Sequence, residues 1–363
     1  MAAFACWFVI TSAAFAQQKD ESQTGNGPPQ KPLESTTVYS YPAGGIAGSK
    51  VVQTRTESDG REVVTEIIES PGTDGRFQPN TETTTETTGM GSSSVKVKRN
   101  VLVNRTQGTR SLIETSEAEQ EKLPDGSSRT VTNAWTPDLS GRLRLLSQRV
   151  QEVKTVSADV QETATTVYVP SVNQPLNESE RVHETQGRVE SNVVRTDSHR
   201  DFRDANGKWQ TTETRNKEVR TVNPAEAVEE ETVWTLDGEG KLRLSEKTVT
   251  RRSGTNGSEQ VATDVYSSTT VGVARSPGSP LEFDHRIRVT TTPAANGERQ
   301  TITETEARNP TVINGRIQVV ARTVETVRQI GPDRWETQRQ TFTLDGSGRL
   351  VLTTDVKEES RGK

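Results

Sequence analysis

The chain has 363 residues, 29% of them apolar and 4% aromatic, with 45 basic and 50 acidic residues giving a net charge of -5. That interleaved balance excludes the basic face expected of a nucleic-acid partner. The apolar fraction is well under that of an average globular domain, yet the apolar residues are spaced and Val, Ile and Thr dominate, which points to β-structure rather than to a disordered chain.

Residues 1–16 hold an apolar run, Phe4 and Trp7 to Ile10, followed by Ala14-Phe15-Ala16. This has the h-region and small-x-small pattern of a secretory signal cleaved after Ala16, and it is shorter than the roughly 20 residues that span a bilayer. Cys6 is the one cysteine and leaves with the signal, so the mature chain is expected to have no disulfide, thiolate metal site or cysteine nucleophile. Export without disulfides fits a bacterial periplasm or surface. Residues 17–34 are polar and include Pro28, Pro29 and Pro32, a composition that reads as a disordered linker.

Beyond the linker, one stretch occurs three times: Trp135-Thr136-Pro137-Asp138 to Leu145, Trp234-Thr235-Leu236-Asp237 to Leu244, and Phe342-Thr343-Leu344-Asp345 to Leu352. Each copy holds an aromatic residue, an Asp, a Gly three residues after it, a basic residue and a Leu-x-Leu pair, which describes a strand, a tight turn and a second strand. The copies begin 99 and 108 residues apart. Tyr39, Tyr168 and Tyr266 mark a second recurring site, and Gly108, Gly207 and Gly315 a third. Alternation such as Leu242, Leu244 against Arg243, Ser245 predicts half-buried strands. Turns are predicted at Asp59-Gly60, Gln186-Gly187, Asn206-Gly207, Asn256-Gly257, Asn296-Gly297 and Asn314-Gly315.

The expected fold is all-β, an antiparallel meander of about 18 strands in three tandem repeats. These are 35–157, 158–254 and 255–363, the first carrying a Thr-rich loop insertion at about Phe77–Ser94. Three tandem β-sandwich domains are the alternative, but the chain has few large side chains to fill two inner faces, which favours one elongated or toroidal meander. A transmembrane barrel needs an apolar outer band and aromatic girdles, and neither is visible.

No cofactor or metal site is expected. Asp138, Asp237 and Asp345 sit where a turn-capping carboxylate belongs, without the surrounding ligands of a calcium loop. His183, His199 and His285 have no partner at metal-ligand spacing, and no nucleophile motif is present. Trp135, Trp234, Phe342, Tyr39, Tyr168 and Tyr266 are expected as structural anchors. Trp209 and Trp335, out of phase with them, are the candidate ligand contacts. The functional expectation is an exported, non-enzymatic scaffold or interaction surface at the bacterial cell envelope, periplasmic or extracellular, with an envelope protein or glycan as partner. A carbohydrate- or matrix-binding module is the alternative, and an enzyme whose site is dispersed over the strands the second.

Overall fold

The computed structural model describes residues 34–361 except for 43–48, 59, 72–75, 90–93, 105–109, 172–175, 256, 269–279, 294–297, 310–315 and 333. The expected signal, most of the expected linker, Cys6, Asp59, Gly108, Asn256 and the predicted turns at Asn296-Gly297 and Asn314-Gly315 lie outside these residues.

The first ten strands are β1 (Glu34–Pro42), β2 (Ser49–Ser58), β3 (Arg61–Pro71), β4 (Phe77–Thr88), β5 (Ser94–Asn104), β6 (Arg110–Lys122), β7 (Ser128–Pro137), β8 (Leu143–Ser157), β9 (Val160–Val169) and β10 (Asn177–Glu190). The second ten are β11 (Val193–Arg203), β12 (Trp209–Asn223), β13 (Glu226–Leu236), β14 (Leu242–Thr255), β15 (Ser258–Ser267), β16 (Glu282–Pro293), β17 (Arg299–Arg308), β18 (Ile317–Gly331), β19 (Arg334–Leu344) and β20 (Leu350–Arg361). Each pairs antiparallel with the next in sequence, forming one 20-stranded sheet. The ring closes where β1 meets β20, with Val38 opposite Glu358 and Ser40 opposite Val356. The chain is therefore an all-β antiparallel meander, and its single continuous sheet excludes three separate sandwiches.

Twenty strands spaced about 4.8 Å apart and tilted about 40° close with a backbone radius of about 20 Å, if the cross-section is circular. The wall is one layer thick. Among the described residues the buried apolar side chains are Val101, Val193, Val233 and Val249, with none under 2% exposed that is large. Thr and Val recur throughout the strands because β-branched side chains suit a half-exposed pleated surface.

Three sequence expectations are corrected. Among the described residues the strand count is twenty rather than about 18. The Thr-rich segment from Phe77 is strand β4, paired with β3 and β5 along its length, because its alternating Thr and Glu make a regular wetted strand rather than an insertion loop. Gln186-Gly187 lies inside β10, where Gln186 faces Thr196, and the chain turns instead at 191–192.

The structural period is also finer than the sequence landmarks suggest. In nine hairpins the even strand carries one extra residue near the connection that follows the odd strand. Each is a β-bulge, two residues opposite one. The odd-strand residues just past the irregularity are Glu69, Leu102, Trp135, Tyr168, Asp201, Trp234, Tyr266, Glu306 and Phe342. From Glu69 to Trp234 they recur every 33 residues. The 99-residue spacing in the sequence is three such hairpins, and the 108-residue spacing is three with longer connections (32, 40 and 36 residues). Tyr168 and Tyr266 occupy the same structural position as Trp135, Trp234 and Phe342, one or more hairpins along.

A bulge breaks the backbone ladder and leaves a carbonyl to be satisfied. Where the extra residue carries a hydroxyl, it fills that role. Ser179 Oγ donates to Val167 O (3.1 Å), Thr212 Oγ1 to Arg200 O (3.3 Å), Ser245 Oγ to Val233 O (3.0 Å) and Thr353 Oγ1 to Thr341 O (3.0 Å). Replacing Ser245 by Ala is expected to cost about 1 kcal/mol in urea unfolding, whereas Ser245→Thr keeps the donor and costs a few tenths. An alanine variant as stable as the parent would show that the hydroxyl does not serve the bulge.

Candidate functional site: the bulge-ringed rim and the charged wall

Antiparallel alternation gives the wall two faces, and the registers assign side chains to each. The face bearing Trp135 and Trp234 collects apolar cross-strand pairs just past the bulges: Leu102 with Leu112, Trp135 with Leu145, Trp234 with Leu244, Tyr266 with Phe283, and Phe342 with Leu352. One pair further toward the rim stand Pro71 with Phe77, Pro137 with Leu143, Leu236 with Leu242, and Leu344 with Leu350. The Tyr266 and Phe283 rings meet edge to face at 5.9 Å. The result is a discontinuous apolar ring at a single height and on a single face. The expected anchors Trp135, Trp234, Phe342, Tyr168 and Tyr266 are all half-buried rather than enclosed, since no second layer covers them. Tyr39 in β1 pairs with Lys50 and Lys357.

The ring is interrupted at β10 to β12. There Arg181 places its guanidinium 4.2 Å from the centroid of the Trp209 ring, a cation–π contact. His183 and His199 are register partners, stacked at 5.1 Å with an 18° interplanar angle. His199 Nε2 also lies 3.9 Å from Asp201 Oδ2. Sequence spacing shows no partner for either histidine. The signal was the turn at 191–192, midway between them, which the reading at Gln186-Gly187 misplaced. Of the two candidate ligand contacts, Trp209 belongs to the rim of the ringed face. Trp335, 37% exposed, begins β19 at the opposite end and on the opposite face, so the structure does not bring them together.

At the rim, four connections share one geometry. Asp138 accepts the Ser140 N–H (2.8 Å), the Ser140 hydroxyl (2.6 Å) and the Arg142 N–H (3.0 Å) on Oδ1, and Arg144 Nε on Oδ2 (3.0 Å). Asp237 does the same with the N–H groups of Glu239 and Lys241 and with Arg243 Nε, each at 2.9 Å. Asp345 takes Ser347 and Arg349, and Asp204 takes Asn206 and Lys208. The Gly that follows each by three sits at φ 79 (Gly141), 82 (Gly207), 77 (Gly240) and 78 (Gly348), which a side chain would oppose. The carboxylates are thus turn caps with their oxygens occupied by donors. The turn at Asp204 shows that the motif also occurs outside the three copies the sequence displays.

Below the rim both faces are laced with cross-strand ion pairs. The ringed face holds Lys98–Glu117 (2.8 Å), Lys96–Glu119 (3.1 Å), Arg322–Glu304 (2.6 Å) and Asp264 between Arg286 (2.5 Å) and Arg251 (3.2 Å). The opposite face holds Lys217–Glu229 (2.7 Å), Arg215–Glu231 (3.3 Å), Arg252–Glu259 (3.2 Å) and Arg339–Glu325 (2.5 Å). Apart from the Asp264 cluster, whose carboxylate is buried, these exposed pairs add little stability each, but together they set the chemistry of the wall, which is wetted on both sides. A recess of about 510 Å³ opens on the ringed face, between Leu102, Leu112, Trp135 and Leu143 on one side and Lys98 and Glu117 on the other. Among the described residues no group of three or more His, Cys, Asp or Glu is placed to hold a metal ion, and no helix is long and apolar enough to cross a membrane.

No family model matches the chain, and no curated protein matches it. Among solved structures, it is similar to the siderophore receptor PirA from Pseudomonas aeruginosa, with 8% identity, a TM-score of 0.51, and coverage of 92% of this chain and 81% of the receptor. The ferric-catecholate import receptor Fiu from E. coli K12 (7% identity, TM-score 0.49, covering 92% and 82%) and OpdQ from Pseudomonas aeruginosa (9%, 0.42, covering 90% and 95%) are more distant matches. At these identities the likeness is one of fold, a closed β-barrel. It overturns the expectation of a secreted scaffold at the envelope and its glycan- or matrix-binding alternative.

The Ser140 hydroxyl, ahead of the backbone donors and Arg144, holds the Asp138 carboxyl down to about 2 from its ordinary 3.8. A carboxyl with a lowered folded pKa stabilises the fold above its unfolded value and loses that contribution as pH falls through the folded one. The expected outcome is that Asp138 titrates near 2 by carboxyl NMR, and that amide exchange at Ser140 and Arg142 accelerates only below about pH 3. Titration near 3.8 would remove the turn cap from the account.

Proposed function

We propose that the chain is a non-enzymatic hydrophilic passage of a bacterial envelope, a closed sleeve whose bore carries small polar solutes. The observation that supports this most is the closure of β20 on β1, which converts a polar meander into a wall with an inside. A ring of this strand number exceeds the 16–18 strands at which barrels leave an aqueous channel. The ion pairs on both faces suit water on both sides of the wall. Arg or Lys facing hydrocarbon costs about 2–4 kcal/mol each at mid-bilayer, and either face would present several, among them Lys98, Arg286 and Arg322 on one and Arg215, Lys217 and Arg339 on the other. The sleeve is therefore read as standing in an aqueous layer of the envelope. Acid–base pairing across strands leaves the bore without strong charge preference, which fits solutes chosen by size. The three units 35–157, 158–254 and 255–363 are read as consecutive sets of hairpins in this one wall.

Single cysteines at neighbouring wall positions in a Cys6→Ser background test the reading. Val249 and Thr248 alternate in β14, so a thiol at one faces the bore and a thiol at the other faces outward. A small maleimide is expected to label both, and a large polymer-linked maleimide only one. Equal labelling of both by the polymer reagent would mean that no enclosed bore exists.

A further inference from the structure

We infer that the rim carrying the Asp turns is a docking surface for an anionic phospholipid membrane, on which the barrel stands end-on. Each Asp keeps its charge but is held by backbone donors, as described above, while the basic residue that closes the turn is exposed; in the Asp237 turn that residue, Lys241, pairs with Glu239 at 3.6 Å. Arg142, Lys208 and Arg349 are exposed and take part in none of the ion pairs described for the wall. Arg308 and Arg316, flanking the β17–β18 connection at the same end, are exposed as well. The opposite rim differs. Its cations are largely paired, Arg188 with Asp159, Arg61 with Glu86 and Arg328 with Glu336.

A basic rim alone would suit any polyanion. The apolar side chains beside it decide for lipid. Leu139, at the tip of the Asp138–Arg142 turn, is fully exposed at 110%. Immediately behind the tips stand Leu143 at 50% and Leu242 at 39%, with the ring of Trp135, Trp234 and Phe342, the last beside Leu352 at 37%, one step further in. End-on, the tip enters first: Leu139 reaches the acyl boundary, the long side chain of Arg142 beside it extends back to the phosphates, and Leu143, Leu242 and the ring aromatics follow at the interface. Ion pairs stand at the turns themselves, Arg144 with Asp138 and Arg243 with Asp237, and continue down both faces of the wall, which limits contact to the turn tips rather than burial of the barrel along its length.

The test uses the full chain with vesicles of phosphatidylcholine alone or mixed in equal parts with phosphatidylglycerol, read by co-sedimentation. Binding is expected to the mixed vesicles only and to weaken with added salt. Joint reversal of Arg142, Lys208 and Arg349 to Glu should lower the partition coefficient on the order of a hundredfold, at about one cation's contribution per site. Leu139→Asp should weaken binding about tenfold, because it places an acid at the tip that enters the interface. Lys154→Glu, near the opposite rim, should change nothing. Circular dichroism melts of each variant guard against misfolding. Equal binding to both vesicle types would overturn the inference, as would an equal loss from Lys154→Glu. So would competition by soluble polyphosphate together with unchanged binding of Leu139→Asp, which would mark a polyanion site instead. None of these outcomes alters the labelling of the wall, so the failure of this inference and of the passage are distinguishable.

Discussion

The structure depends on strand pairing that leaves no edge. A single-layer wall whose buried apolar side chains, among the described residues, are four valines cannot be held by a core. Its cohesion comes from backbone ladders, and each ladder contributes only if both neighbours are present. An open sheet of this length would expose two strand edges, each a template for aggregation. Pairing of β1 with β20 removes both. The Thr-rich composition then follows, because a wall wetted on both sides needs side chains that favour extended backbone without demanding burial.

The bulges are the second constraint and serve the first. A bulge bends its strand and raises local twist, and nine of them at one height give nine hairpins, all but β1–β2, a similar bend in the same place. The bulge also rotates the side chains beyond it, so that Leu244 and Leu352 meet Trp234 and Phe342 directly. The apolar ring and the bulge ring are thus one feature seen from the side chains and from the backbone. The same end carries the capped turns, and their outward cations follow from how the Asp side chains are used.

The all-β class, the antiparallel order and the hairpin at each Asp-x-x-Gly turn were legible because they rest on local chemistry. Alternation, positive φ at Gly and a capping carboxylate all act within a few residues. The seam was not legible, and the choice between an elongated and a toroidal meander stayed open, since Ser40 and Val356 are far apart in sequence and no residue type marks a seam. The 33-residue period was hidden for a different reason. The bulge position fixes backbone geometry rather than side-chain identity, and it is filled by Glu69, Leu102, Tyr168 and Asp201 as readily as by Trp135. Aromatic landmarks therefore showed every third hairpin and made the unit seem three times too long. The stacked pair His183–His199 was missed because its partnership depends on register, which a one-residue error in the turn abolishes. Reading Phe77–Thr88 as a loop took its polarity for irregularity, whereas here polarity is the rule for strands.

The closed wall rests on the seam more than on any other contact. Cysteines at Ser40 and Val356, register partners across β1 and β20, should form an intramolecular disulfide in a Cys6→Ser background, because the Cα atoms of antiparallel partners lie within about 5.5 Å, inside disulfide range. Mass spectrometry under dilute, oxidising conditions should then find this bond in the monomer, and a control pair at Ser40 and Val351, out of register, should remain free. A Ser40–Val356 pair that stays reduced, or that links only between molecules, would show that the sheet is open and that the wall has no inside.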